Sequence, residues 1–390
     1  MTEQFGLLVI GGGPAGFAAA KSYREHVPDR ALAIVTDESV LPYERPPLTK
    51  EFLRGESGAD ELPLADESWL QENSVQLISG RAVSLDAMGR GVTLAGDRKL
   101  SYDTCLLATG AEPRRLLVAG VDHPRVRVVR SLHDVRQLLE RLQGRERVVV
   151  AGSGFIGCEI ASSLRRRGHA VTIVSDEPAP NQARLGEQAA SRIAGWLRAD
   201  GVVLKLGAEV EHIDHQRSGC VVVAGDERVA ADVVVMSVGV TPRSELAAQT
   251  GLRLEGGAVP VDASMRSAVA GLLAAGDVCL AQNSAAGRAL RVEHWGDALA
   301  HGEIAGRVAA GEAPTWDAVP GFWSTIGAQT LKYAAWGDGF DEVSWHTHPG
   351  GGFTASYGRD GLLVGVLTHD ADDDYERGQR DIGAGASWQR

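Results

Sequence analysis

An apolar run at residues 5–10 passes directly into Gly11-Gly12-Gly13-Pro14-Ala15-Gly16, and residues 17–24 that follow are mostly small and apolar. This order predicts a buried strand, a tight turn and a closely packed helix. A second apolar run, 31–36, ends on Asp37 and Glu38. The same construction recurs further along. Residues 147–151 are a valine-rich run, Gly152-Ser153-Gly154-Phe155-Ile156-Gly157 is the turn, a helix is predicted to residue 167, and a strand over 170–174 follows Gly168-His169. Apolar runs at 104–110, 233–242 and 272–277 each bring a glycine to a strand end. From about residue 319 the pattern shortens and alternates. Segments 331–336, 342–346, 353–357 and 361–368, the last after Asp360-Gly361, predict antiparallel strands, and residues 370–374 read as a solvated acidic loop.

Strand, glycine turn, helix, strand and acid, in that order, predict a dinucleotide site. Gly11 permits the tight turn, Gly13 lets backbone approach a pyrophosphate, and Gly16 lets helix and strand pack closely, while the helix N-terminus offers free N–H groups to phosphate. Asp37 or Glu38 is placed to accept ribose hydroxyls. Two such folds mean two nucleotides, and an enzyme holding a flavin and a nicotinamide is the economical reading, because hydride then passes from ring to ring. At the second strand's end Ser175 stands where a carboxylate is often found and Asp176 follows, which leaves NADH against NADPH open.

Length and charge narrow the rest. A chain of 390 residues predicts two or three domains, and 44% hydrophobic with 23% charged residues is the composition of an α/β enzyme. The net charge of -12 argues against nucleic acid or an anionic membrane as the main partner. No apolar run is long enough to span a bilayer and no basic leader precedes the first strand, so a cytoplasmic protein is expected. Cys105, Cys158, Cys220 and Cys279 are dispersed, which disfavours a disulfide framework or zinc site, and Cys158 reads as a buried helix residue. His346 and His348 alternate onto one strand face but lack a third ligand nearby, so no metal site is expected. Arginines crowd between Arg114 and Arg147 and at Arg165-Arg166-Arg167, read as solvated helix faces that could also form a basic patch.

The order of these pieces resembles the pyridine-nucleotide-dependent flavoprotein reductases of the glutathione-reductase-like fold. Within that group Pro42-Tyr43-Glu44-Arg45-Pro46-Pro47-Leu48-Thr49-Lys50 is similar to the PYxRPPLSK segment of oxygenase-coupled ferredoxin and rubredoxin reductases and apoptosis-inducing-factor-like proteins. Residues 154–159, 274–278, 292–295 and 321–324 match further motifs. The resemblance implies an α/β fold with two Rossmann-like domains. An FAD domain (1–112 and 243–318) is interrupted by an NAD(P)H domain (113–242), and a small α+β domain with an antiparallel sheet (319–390) closes the chain.

It also implies site residues. Lys50, near the reactive edge of the flavin and paired with Glu159, would position and stabilise charge. FAD would be contacted by Gly11, Gly13, Pro14, Ala15, Gly16, Asp37, Glu38, Arg45, Lys50, Val83, Ala108, Thr109, Gly110, Arg114, Gly276, Asp277, Glu293, His294, Trp295 and Trp323. Asp277 would hold the ribityl chain ahead of a helix aimed at the flavin, and Trp295 would flank the ring. The nicotinamide nucleotide would meet Gly152, Gly154, Phe155, Ile156, Gly157, Glu159, Ser175, Asp176 and Gly239.

Residues 17–60 contain no cysteine, so the redox disulfide of related reductases is missing and a direct acceptor is implied. The expected activity is hydride transfer from NADH or NADPH to FAD, then single-electron transfer to a ferredoxin or similar small iron–sulfur carrier serving an oxygenase. An acidic ferredoxin would need the arginine patch to face the flavin edge. The alternatives are an apoptosis-inducing-factor-like NADH-responsive protein acting through partner binding, and a reductase of rubredoxin, a quinone or oxygen. Monomer and homodimer both remain open. Where the family often continues its FWS segment with Asp-Gln, this chain reads Ser324-Thr325-Ile326, so contacts assigned to that acid have no support here.

Overall fold

The computed structural model describes residues 3–388, so residues 1, 2, 389 and 390 of the expected domain ranges lie outside it. Three of the six sheets among the described residues, the largest, organise the chain. In the first, Val75–Ser79, Leu32–Thr36, Glu3–Ile10, Lys99–Leu107 and Leu272–Ala274 run parallel, and an antiparallel pair, Ala82–Asp86 and Gly91–Leu94, leaves the start of the long Lys99–Leu107 strand. Leu7, Leu8 and Val9 are wholly buried, as suits a parallel sheet covered on both faces. The second sheet is parallel throughout, in the order Val203–Leu206, Ala170–Ser175, Arg147–Ala151, Val233–Met236, Val126–Val128. Between them the chain goes out and returns through two short antiparallel strands, Ala111–Pro113 and Val240–Pro242. At this crossing, and again near 318, we propose the domain divisions.

The third sheet is antiparallel, in the order Gly321–Ile326, Gln329–Ala335, Leu362–His369, Phe353–Arg359, Glu342–Thr347. Two of its features differ from the sequence reading. Residues 321–326, read only as a motif, form its outer strand, and the supposed acidic loop is the first turn of a helix, Asp372–Gly383. Only Gly378 and Ile382 of that helix are buried, with Tyr375 half-buried beside them, so few apolar residues announced it. Asp372, Asp373 and Asp374 sit where negative charge favours a helix start.

The first glycine loop is backed by a close helix pair. Helices Pro14–His26 and Trp295–Ala309 meet through small residues: a Cβ at Gly302 would lie 2.2 Å from the Ala15 carbonyl oxygen, and one at Gly306 2.4 Å from that of Ala19. Among the described residues no helix is long and apolar enough to cross a membrane.

Candidate functional site: two glycine cradles joined by an ion pair

Both glycine loops obey the same rule. Gly11 and Gly152 have φ of +122° and +105°, and a Cβ on either would sit 2.1 or 2.2 Å from the carbonyl oxygen of Ala108 or Ser237 on the neighbouring strand. Gly16 and Gly157 pack against the carbonyls of Gly11 and Gly152 themselves. These four are glycine because the protein leaves no room. Gly13 and Gly154 differ. Their φ values of -80° and -68° suit any residue, and a Cβ at either meets no protein atom within 4 Å. What requires glycine there is absent from the chain, as expected where backbone must approach a pyrophosphate.

The helices that start at these glycines point to the same ligand. Neither Pro14–His26 nor Phe155–Arg166 has a side-chain cap or an acid in its first turn. By contrast, Leu132–Arg141 has a full capping box from Ser131 and Asp134. The two glycine loops therefore leave their helix N–H groups free for an anion, and the residues present fit two dinucleotides.

Lys50 and Glu159 link the cradles. The side chains are 7% and 2% exposed, and Lys50 Nζ lies 2.9 Å from Glu159 Oε2. Thr49 Oγ1 donates to the same oxygen at 2.5 Å, Ser324 Oγ donates to Oε1 at 2.7 Å, and Lys50 Nζ also donates to the Pro46 carbonyl. The Pro46–Thr49 turn shapes this end. Ser163, one turn after Glu159, donates to the Thr49 carbonyl at 2.7 Å, so the turn and the second cradle's helix are locked together. A buried charge pair with every acceptor filled costs little to keep, and removing one partner is expensive.

At the end of the Leu32–Thr36 strand, Glu38 accepts from Arg45 Nη2 and from the Tyr43 hydroxyl, each at 2.5 Å. Burial pushes the Tyr43 phenol well up from its usual range, so it serves as a donor; the Leu132 N–H in turn donates to it. Asp37 is exposed beside this cluster. Arg45 also donates to the Arg130 carbonyl, and Arg130 Nη2 pairs with Asp277 Oδ2 at 2.5 Å. Arg130 and Tyr43 were not singled out from the sequence. Arg130 stands outside every motif, and its partner is 147 residues away.

Other expected residues fall in several places. Gly276 and Asp277 lie in a short 3-10 turn, and the next α-helix starts only at Trp295, so no helix begins directly at Asp277. His294 stands at the N-cap position of that later helix without a side-chain capping bond, its Nδ1 3.1 Å from Asp297, and stacks at a tilt on Phe322, which meets Phe155 edge-on at 4.8 Å. Trp295 is half-buried, and Trp323 and Ile156 are exposed. Arg114 is exposed and bonded to the Gly239 and Val240 carbonyls, while Thr109 donates to the Arg243 carbonyl and Gly110 accepts from the Arg243 N–H, so these four positions fasten the crossing between sheets. Pro14 and Ala15 open the first helix, and Ala108 supplies the carbonyl beside Gly11. Glu293 is exposed and paired with Arg291, and Val83 is exposed on the antiparallel pair.

Ser175 is buried, its hydroxyl shared with Ser153 at 2.8 Å, so it presents no free group at the second strand's end; Asp176 beside it is exposed. The arginines at 165–167 are engaged at the far end of the Glu159 helix, with the carbonyls of Gly201, His169 and Leu53 and with Asp200. Burial raises the Cys158 thiol far above its usual range, in keeping with a buried helix residue. His348 pairs with Asp374 and Thr354.

A pyridine nucleotide-disulphide oxidoreductase family model matches residues 5–302. The rubredoxin-NAD(+) reductase of Pseudomonas putida is 33% identical over 331 residues, 84% of this chain and 85% of its own length. A ferredoxin--NAD(P)(+) reductase of a Sphingomonas species is 30% identical over 396 residues, 99% of this chain and 95% of that protein. The crystal structure of the ferredoxin reductase for the CYP199A2 system from Rhodopseudomonas palustris superposes with a TM-score of 0.93 at 30% identity, covering all of this chain (100%) and 96% of that one.

Proposed function

The chain belongs to the pyridine nucleotide-disulphide oxidoreductase family, and from that premise we propose that it is a flavoprotein reductase. It takes hydride from NAD(P)H onto FAD and delivers single electrons to a small iron–sulfur carrier, a ferredoxin serving an oxygenase. The observation that carries this reading is the Lys50–Glu159 pair, which joins the loop beside the first cradle to the helix of the second.

The first cradle, with Glu38, Arg45, Arg130 and Asp277, would hold FAD, and the second would hold the nicotinamide nucleotide. Bound FAD accepts two electrons as hydride and releases them singly. The protein's part is placement and charge. Lys50 would set a fixed positive charge beside the bound flavin, favouring its reduced, more negative form, and Glu159 would fix the position of that ammonium. All four cysteines are buried and unpaired, in keeping with electrons leaving directly to an acceptor. The relatives named for rubredoxin and ferredoxin support a carrier of this class.

Rapid anaerobic mixing of the flavin-loaded protein with NADH or NADPH, then with a [2Fe–2S] ferredoxin or a rubredoxin, tests the proposal. Flavin bleaching within a second and reoxidation by ferredoxin at a similar rate are expected. Reduction over minutes to a long-lived charge-transfer complex that neither carrier discharges would replace this reading with the NADH-responsive one.

A further inference from the structure

We infer that Ser324 is a positioning residue for hydride transfer, holding Glu159 so that Glu159 in turn fixes Lys50; the inference rests on the reductase reading above. The Glu159 carboxylate is buried and takes hydrogen bonds from two directions. Thr49 and Lys50 fill Oε2 from the first unit, and Oε1 receives Ser324 Oγ at 2.7 Å from the C-terminal sheet. Ser324 is itself 1% exposed, and its partner is 165 residues away. A carboxylate anchored on one oxygen alone can swing about its Cγ–Cδ bond, whereas one anchored on both has a single orientation.

Ser324 lies beyond residue 302, where the match to the nucleotide-binding family ends, so the C-terminal unit supplies a group that the two nucleotide folds lack. That unit is also seated on a further helix of the second nucleotide fold, Gln182–Ala199. Tyr357 donates to the Leu185 carbonyl at 3.0 Å, and the Phe340 ring lies 3.3 Å from where a Cβ on Gly186 would be. The Gly321–Ile326 strand itself meets the Glu159 helix through Phe322, which packs edge-on against Phe155. Thr325, which stands where relatives often have Asp, bonds Thr330 and takes no part.

The test compares Ser324→Ala and Ser324→Thr with the wild-type flavoprotein. A hydrogen bond to a charged group predicts a fall of about tenfold or more in the limiting rate of flavin reduction by NADH in Ser324→Ala. The NADH Kd is expected to change less than about twofold, and Ser324→Thr to recover most of the rate, because orientation is affected and docking is not. A second readout needs no turnover: thermal unfolding of Ser324→Ala, Glu159→Gln and the double variant should be non-additive, with the two losses overlapping. An unchanged rate in Ser324→Ala, a loss confined to Kd, no recovery in Ser324→Thr, or additive unfolding would each overturn the inference. A wild-type protein that neither nicotinamide reduces would instead refute the reductase reading.

Discussion

In the first cradle the strand end carries a charged cluster, Glu38 with Tyr43 and Arg45, and the helix is backed along its length by a second helix packed almost backbone to backbone. In the second, the strand end carries Ser175 turned inward to Ser153, and the helix faces Lys50, Thr49 and Ser324. The glycine geometry of the two loops is otherwise nearly superimposable in its constraints. The motif therefore specifies only that a pyrophosphate can approach. On the proposed reading, the surrounding residues distinguish a cradle that would keep its nucleotide from one at a charged, three-sided junction, where exchange and hydride transfer would take place.

The largest expected effect breaks both halves alike. Gly11→Ala and Gly152→Ala each put a Cβ on a neighbouring carbonyl at a positive φ, so each should cost on the order of 3 kcal/mol or more and yield little folded protein. Denaturant unfolding checks this, and tolerance of either substitution would break the parallel.

A large acid-sensitive element lies in the first half. Burial drives the His301 imidazole down to about 4 from 6.5, against the opposing pull of the Asp297 and Asp277 carboxylates. The unfolded chain binds a proton near 6.5 that the folded chain refuses until about pH 4. Stability therefore falls as pH drops through that window, by up to about 3 kcal/mol. The wild-type stability minus that of His301→Leu, followed from pH 7 to 4, should decline by that amount; a flat difference would separate His301 from acid sensitivity. The smallest effect lies where the C-terminal sheet meets the second half. Tyr357→Phe removes the hydrogen bond to Leu185 and should cost about 1 kcal/mol in unfolding, with flavin content unchanged.

The two cradles were legible because their evidence is local: an apolar run, glycines at fixed spacing and a small-residue helix stand next to one another in sequence. Lys50 and Glu159 were legible only through the family resemblance, since nothing in their 109-residue separation announces a contact. Arg130 and the Ser324 hydrogen bond to Glu159 were missed for the same reason without that help. The Asp372–Gly383 helix was missed because only Tyr375, Gly378 and Ile382 of an otherwise charged segment meet the sheet, too few apolar positions to stand out in the sequence. The arginines at 165–167, read as solvated helix faces with a basic patch as the alternative, are bonded to nearby carbonyls and to Asp200.

The most direct test of the division of labour uses the two glycines that the protein itself does not require. Gly13→Ala and Gly154→Ala should both fold, and for each the flavin-to-protein ratio and the NADH affinity by calorimetry would be measured. The account predicts that Gly13→Ala loses its flavin yet still binds NADH, and that Gly154→Ala keeps its flavin while its NADH affinity falls about tenfold or more. Full flavin occupancy in Gly13→Ala, or NADH affinity untouched in Gly154→Ala, would contradict it.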